Sequence, residues 1–424
     1  LNRDKVYITQ HLRYISFFII FFSCVQTTGA QPISDSIKAA LHHHRQFDVN
    51  NEEDLIDIAH KFVNKEAQKR SDSEGRQSST LRLSAVPAAG YSLQTGFAVL
   101  AVANAAFYTS KHQEANISSI LTSLTYSQQK QIIFPVQANI FTKGNKYNIV
   151  VDWRYLKYPS YTYGLGGYTS FLDQYTIDYS ALRLHQNVYR LISKDLYLGL
   201  GYYIDYFWNI KEVDPPAGKI TDFQAYDTNG PAKTELASGL TINMLYDSRR
   251  NSINPENGTY LNLTYRPNLT LLGNNNTWRS FVVDARKYFK LPFGIDNILA
   301  FWNYDWLTLS GNPPYLMLPN TGGDPYSNTG RGYIQGRFRG KNMLYLEGEY
   351  RFAISGNDLL GGVLFVNAQS FTEQGNNQFQ VISPGYGAGL RIKLNKFSRT
   401  NIAIDYALGN NGSGGFFVNL GEVF

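Results

Sequence analysis

Cysteine is almost absent from this chain. Cys24 is the only one, and it sits in an apolar run near the first residue, so beyond it no thiol is left for a disulfide or a thiolate metal site. Charge is thin, at 17% of 424 residues, and the net +6 is dispersed, which points to solvated or lumenal charge and away from nucleic acid as a partner. No stretch after residue 30 approaches the ~20 apolar residues of a membrane helix, and helical periodicity is scarce beyond residue 80. Histidine is scarce too: His112 and His185 are the only ones after residue 81, too few to suggest a nucleophile with a general base. An exported chain with these absences reaches a membrane only as a closed barrel or as a peripheral protein.

What is plentiful is period-two alternation among aromatics and glycine: 15% of the chain is aromatic, with 31 Tyr and 36 Gly. Leu344, Leu346, Gly348, Tyr350 and Phe352 alternate with Tyr345, Glu347, Glu349 and Arg351; Ile402, Ile404 and Tyr406 oppose Asn401, Ala403 and Asp405. One face of such a strand meets oil and the other meets water. In a soluble sandwich the apolar face is core, whereas in an outer-membrane barrel it meets lipid and the charged face lines the lumen.

The first residues set the compartment. Arg3, Lys5 and Arg13 precede the apolar run YISFFIIFFSCV and the small-residue end TTGA, the layout of a secretory signal cleaved after Ala30. Residues 31–80 form a separate periplasmic segment, in which Asn51 is expected to cap a helix reaching about Lys69, with Leu55, Ile58, Ala59, Phe62 and Val63 as its apolar stripe. The pattern leaves open whether this segment plugs a lumen, hangs beneath it or is a loose tether. His42, His43 and His44 have no carboxylate cluster beside them and are read as solvated; no metal and no cofactor are expected.

From Leu81 the alternation marks about sixteen strands, near 82–91, 95–108, 116–126, 130–142, 146–157, 174–191, 195–209, 233–247, 257–268, 277–290, 296–309, 339–353, 358–371, 384–395, 398–408 and 414–424. Connections after even-numbered strands are mostly tight, and several after odd-numbered strands are long, as periplasmic turns and surface loops are. The fold class is therefore all-β: a roughly 16-stranded antiparallel transmembrane barrel over 81–424, with both ends in the periplasm and a short helical segment before it.

Three stretches carry a resemblance to the BamA/TamA superfamily, the bacterial surface antigen family. After the eleventh strand, Gly322-Gly323 and then Arg331-Gly332-Tyr333 are similar to the family's Arg-Gly-aromatic loop tip. Between the eighth and ninth strands, Asp247-Ser248-Arg249 with Pro255 and Gly258 resembles its Asp-x-Arg, Pro, Gly turn. The last strand, with Asn419, Gly421 and a terminal Phe424, resembles its closing strand. The resemblance implies that the loop folds into the lumen and that Arg331 finds partners on the twelfth and thirteenth strands, where Glu349 and Asn367 stand. Asn367 replaces the family's usual aspartate and brings no charge; Gly330 stands where an apolar residue is usual. The acidic pair Glu347 and Glu349 is read as part of a lumenal network rather than as acid–base machinery.

The assembly and secretion members of that superfamily carry periplasmic POTRA domains ahead of the barrel; the fifty or so residues between Ala30 and Leu81 have room for at most part of one and show no strand alternation, so a barrel without POTRA domains is expected. Two functions follow as expectations. One is a non-enzymatic barrel that helps insert or move proteins at the bacterial outer membrane, among lipid and lipopolysaccharide and with a periplasmic protein partner, through a weak seam between its first strand, with Pro87 and Gly90, and its last. The alternative is a passive pore or surface-exposed structural barrel.

Overall fold

A computed structural model describes residues 52–55, 57–58, 82–110, 116, 118–226, 233–249, 251–273, 276–292, 297–396 and 399–424. The run expected to be an export signal, Cys24, His42 to His44, His112, Asn51 and most of the helix expected after it lie outside the described residues. The wall is made of β1 (Arg82–Ser92), β2 (Gly96–Phe107), β3 (Ser118–Ser127), β4 (Ile132–Phe141), β5 (Tyr147–Lys157), β6 (Tyr175–Ser193), β7 (Leu196–Val213), β8 (Thr234–Asp247), β9 (Gly258–Asn268), β10 (Trp278–Lys290), β11 (Ile298–Gly311), β12 (Asn342–Ala353), β13 (Leu360–Phe371), β14 (Ser383–Asn395), β15 (Thr400–Gly409) and β16 (Gly414–Leu420). A short extension, Ser160–Thr162, follows β5 and also pairs with β6. Each strand runs antiparallel to its sequence neighbour, and β1 meets β16, which closes a barrel of sixteen strands. Among the described residues no helix is long and apolar enough to cross a membrane; the strands make the crossing.

Burial shows which face meets which medium. Phe97, Val99, Leu124, Tyr126, Leu200, Ile242, Leu346, Leu364, Val366 and Phe416 stand exposed on the outside, while Asp205, Arg266, Asp284, Glu347, Glu349, Arg391 and Asp405 are buried within. This inverts a soluble protein's arrangement and is what lipid outside and a filled lumen inside require. On one side of the lumen Asp205 accepts from Arg183 Nε at 2.9 Å and Arg266 Nη1 at 2.7 Å, with His185 Nε2 3.0 Å away. His185 also stacks on Tyr203 with ring centroids 3.8 Å apart, so this mid-strand histidine is a member of a lumenal network.

Two strand ends differ from the alternation. β7 extends to Val213 instead of stopping near residue 209, because Asn209 takes a left-handed φ of 56° and the pairing slips there against Asp178 and Ser180 of β6. A bulge reverses which residues face in, so simple alternation breaks while the ladder continues. β16 ends at Leu420 and not at Phe424: Gly421 has φ 93°, and the four residues from Gly421 turn out of the wall.

The helix expected over 51–69 is described only at its start. Leu55, Asp57 and Ile58 are helical. Asp54 caps this turn, accepting from Asp57 N at 2.7 Å, while Asp57 Oδ2 accepts from Asp54 N at 3.2 Å.

Because Val366 faces outward at mid-strand, Val366→Arg is expected to lower stability in lipid vesicles by ~2–4 kcal/mol. Urea titration followed by tryptophan emission reads this change, with Val366→Ile as the neutral control.

Candidate functional site

The connection between β11 and β12 folds down into the lumen, and its shape starts with one carboxylate. Asp324 Oδ1 accepts from Asn328 N at 2.9 Å, Thr329 N at 2.7 Å and Thr329 Oγ1 at 2.8 Å, which closes the loop on itself. Thr321 Oγ1 donates to Gln369 Oε1 at 3.0 Å and ties the loop's base to β13. The tip then follows. Gly332 has φ 104°, and a Cβ there would lie 2.7 Å from the Leu408 carbonyl oxygen, so only glycine lets the tip lie this close to β15.

Arg331 is buried at the centre. Its Nη1 donates to Asp405 Oδ2 on β15 at 2.7 Å, and its Nη2 donates to Glu347 and Glu349 on β12. The guanidinium carbon lies 3.6 Å from the centroid of the Phe365 ring on β13. The network continues outward. Arg391 Nη1 donates to Asp405 Oδ1 at 2.5 Å and its Nε to Glu422 Oε2 at 2.8 Å, while Arg351 Nε donates to Glu349 Oε2 at 2.8 Å. Three arginines and four carboxylates thus share one dry region, and each charge has a partner of opposite sign, the condition under which buried charge is tolerated.

Of the partners suggested by sequence, Glu349 binds the Arg331 side chain. Asn367 does not: its Nδ2 donates to the Arg331 backbone carbonyl at 2.9 Å, because its amide is placed beside the loop backbone and the guanidinium is already filled by carboxylates. Glu347 and Asp405 were legible only as lumen-facing residues of their strands. Tyr333 donates its hydroxyl to Pro384 O at 2.6 Å and accepts from Asn410 N at 2.8 Å, and Ser413 Oγ donates to Gly332 O at 2.7 Å. The tip is therefore held by β12, β13, the start of β14, β15 and the turn between β15 and β16.

The motif at the other end of the barrel is a closed turn. Asp247 accepts from Arg249 Nε and Nη2, both at 2.9 Å, the Arg249 guanidinium lies over Tyr260, and Pro255 is buried. Gly258, with φ 117°, brings the chain against the backbone of Ser248 and Arg249, where a Cβ would sit at 3.0 Å. This turn connects β8 and β9, far from Arg331 in sequence.

The closing strand behaves differently from its neighbours. β1 pairs with β2 from Arg82 opposite Ala106 to Ser92 opposite Gly96. With β16 it forms one registered pair, Ser92 opposite Phe417. Continuing that register sets Tyr91, Gly90 and Ala89 against Val418, Asn419 and Leu420, and none of these pairs forms. Below them the chain has left the wall. Phe424 lies inside the lumen, its ring 5.2 Å from Trp302 and 6.2 Å from Tyr288, and its carbonyl accepts from Arg351 Nη2 at 2.9 Å. Asn328 of the inserted loop donates to Val423 O at 2.7 Å, so the loop and the segment after β16 hold each other. Phe424 is thus a lumenal anchor and not the last residue of a lipid-facing strand.

Residues 169–424, which include the inserted loop, the turn and the closing strand, match the Omp85 superfamily domain. The chain belongs to the Omp85 superfamily. Its fold is similar to that of BamA from Haemophilus ducreyi lacking POTRA domains 1–3, at 13% identity and a TM-score of 0.51, over 81% of this chain and 69% of that one. CdiB from Acinetobacter baumannii is similar at 13% identity and 0.50, over 82% and 60%, and CdiB from Escherichia coli at 10% and 0.51, over 81% and 62%. The chain spans about three-fifths of the CdiB chains, and these identities speak for the fold alone. No curated protein sequence matches. This Omp85 barrel is a bacterial outer-membrane protein of a family of insertion and translocation barrels that are generally not enzymes.

Removing Arg331 leaves Glu347 buried with no cationic partner and takes one of two from Glu349 and Asp405. Arg331→Ala is therefore expected to cost ~3–5 kcal/mol in the same vesicle assay. Arg331→Lys recovers only part of it, since an ammonium presents no planar fork to two walls, and Arg331→Ala combined with Glu347→Gln costs less than Arg331→Ala alone.

Proposed function

We propose that this Omp85 barrel assists the insertion of other proteins into the outer membrane, or their passage across it, by opening between β1 and β16. The observation that carries this reading is the seam: a single registered pair beside a β1–β2 interface paired along its whole length. Unpaired N–H and C=O groups on a strand edge are a template for another strand. Breaking one pair costs far less than breaking any other interface of the barrel. The passive-pore reading gains no support, because the loop tip occupies the lumen and is bonded to several wall strands. On the same reading, residues 1–30 are a cleaved export signal and 31–80 a periplasmic segment ahead of the barrel. Its surroundings are membrane lipid and lipopolysaccharide, with a periplasmic protein as partner.

Ser92→Cys with Phe417→Cys tests the seam, since these are the two positions the structure pairs across it. In proteoliposomes that promote folding of a small outer-membrane barrel, the oxidised variant is expected to lose nearly all activity and to regain it with a reductant. Full activity from a chain shown to be cross-linked would end the proposal.

A further inference from the structure

The lipid-facing side of β11 carries a polar pair at mid-strand. Ala300, Trp302 and Tyr304 point into the lumen and join its aromatic cluster, so the alternate residues Leu299, Phe301, Asn303, Asp305, Leu307 and Leu309 face outward. Asn303 and Asp305 therefore stand between apolar side chains of their own strand. Across the sheet Asn303 is opposite Leu346 of β12 and Asp305 is opposite Val283 of β10. Polar and ionisable side chains are expensive on a surface that meets lipid, and those that persist there mark functional positions.

The bonds of this pair are incomplete. Asn303 uses its amide N–H groups within the chain, donating from Nδ2 to Asp305 Oδ1 at 3.1 Å and to Tyr345 O at 3.0 Å, and Tyr345 N donates to the same Asp305 Oδ1 at 3.4 Å. Among the described residues no hydrogen bond reaches Asn303 Oδ1 or Asp305 Oδ2, and no cation pairs with Asp305. Gln186, on the lipid face of β6, shows the contrast: its Nε2 donates to Tyr202 O at 2.6 Å and its Oε1 accepts from Trp153 Nε1 at 3.0 Å. The wall closes that amide on itself and leaves the β11 pair open.

We propose that the outer face of β11 is the contact between two copies of this chain in the membrane, with Asp305 of each copy donating to Asn303 of the other. An isolated carboxylate is not stable against hydrocarbon, so a carboxyl with lipid in front of it and no cation beside it keeps its proton. Asp305 then offers a donor at Oδ2 and Asn303 an acceptor at Oδ1, two residues apart on one strand. A surface holding one donor beside one acceptor is its own complement: under a two-fold axis along the membrane normal, each donor meets the other copy's acceptor. The contact does not depend on the seam, because copies joined at β11 leave β1 and β16 free.

Sedimentation equilibrium of the full chain in a buoyancy-matched detergent is the test, and a reversible monomer–dimer equilibrium is expected. Asp305→Leu removes both reciprocal bonds and is expected to weaken association about tenfold; leucine suits a lipid-facing position, so this variant folds. Asp305→Asn keeps a donor and is expected to associate like the parent chain. In vesicles, Leu346→Cys in a Cys24→Ser chain is expected to give a disulfide-linked dimer, and Leu124→Cys, exposed on the outer face of β3, is not. A chain that stays monomeric at every concentration, an Asp305→Leu chain that migrates as folded and associates unchanged, an Asp305→Asn chain as weak as Asp305→Leu, or cross-linking through Leu124→Cys instead of Leu346→Cys would overturn the proposal.

Discussion

Backbone N–H and C=O groups in hydrocarbon have no water to turn to, and this one constraint shapes the barrel. Every strand satisfies it by pairing with both neighbours, which forces the sheet to close on itself. The exception is the junction of β1 and β16, where one registered pair stands in for a ladder. Gly421 leaves the wall with a left-handed φ, and Val423 and Phe424 bury themselves among Trp302, Tyr288 and Arg351 instead of extending the pairing. The lumenal anchor and the weak junction are therefore one feature: residues that hold the lumen together are withheld from the edge.

Electrostatics imposes a second requirement that the loop resolves. A guanidinium as buried as Arg331 is stable only among carboxylates, and those carboxylates repel one another unless a cation lies between them. Arg331 bridges β12 to β15, and Arg351 and Arg391 carry the network on to Glu422. Loop, wall and closing segment thereby share charge, so a displacement of any one of them exposes the others' charges.

Much of this architecture is legible from alternation alone, because in a barrel each strand carries its own in–out pattern. The outward placement of Leu346 and the inward placement of Glu347, Glu349 and Asp405 follow from period two and the identity of the medium. Alternation fails where geometry reverses it, as at the Asn209 bulge. It also fails where two oily surroundings look alike: Val423 and Phe424 are as apolar as any lipid-facing pair, and nothing local separates an aromatic lumen cluster from hydrocarbon. The meeting of Glu347, Glu349 and Asp405 on one arginine is long-range, and no neighbouring residue announces it. Asp324, which shapes the loop, resembles any turn aspartate, and Asp54, which caps the turn at Leu55, is by type no better a candidate than Asn51.

The sharing of Arg331 between β12 and β15 bears on the order in which the chain can assemble. The arginine is 74 residues from Asp405, and the bond between them cannot form until β13, β14 and β15 are laid down in register. Until then the guanidinium has only Glu347 and Glu349 of β12, the strand next in sequence, within local reach, and Asp405 waits for it. Docking of the tip is thus a late, non-local event in maturation, one that certifies the final third of the wall before the lumen dries.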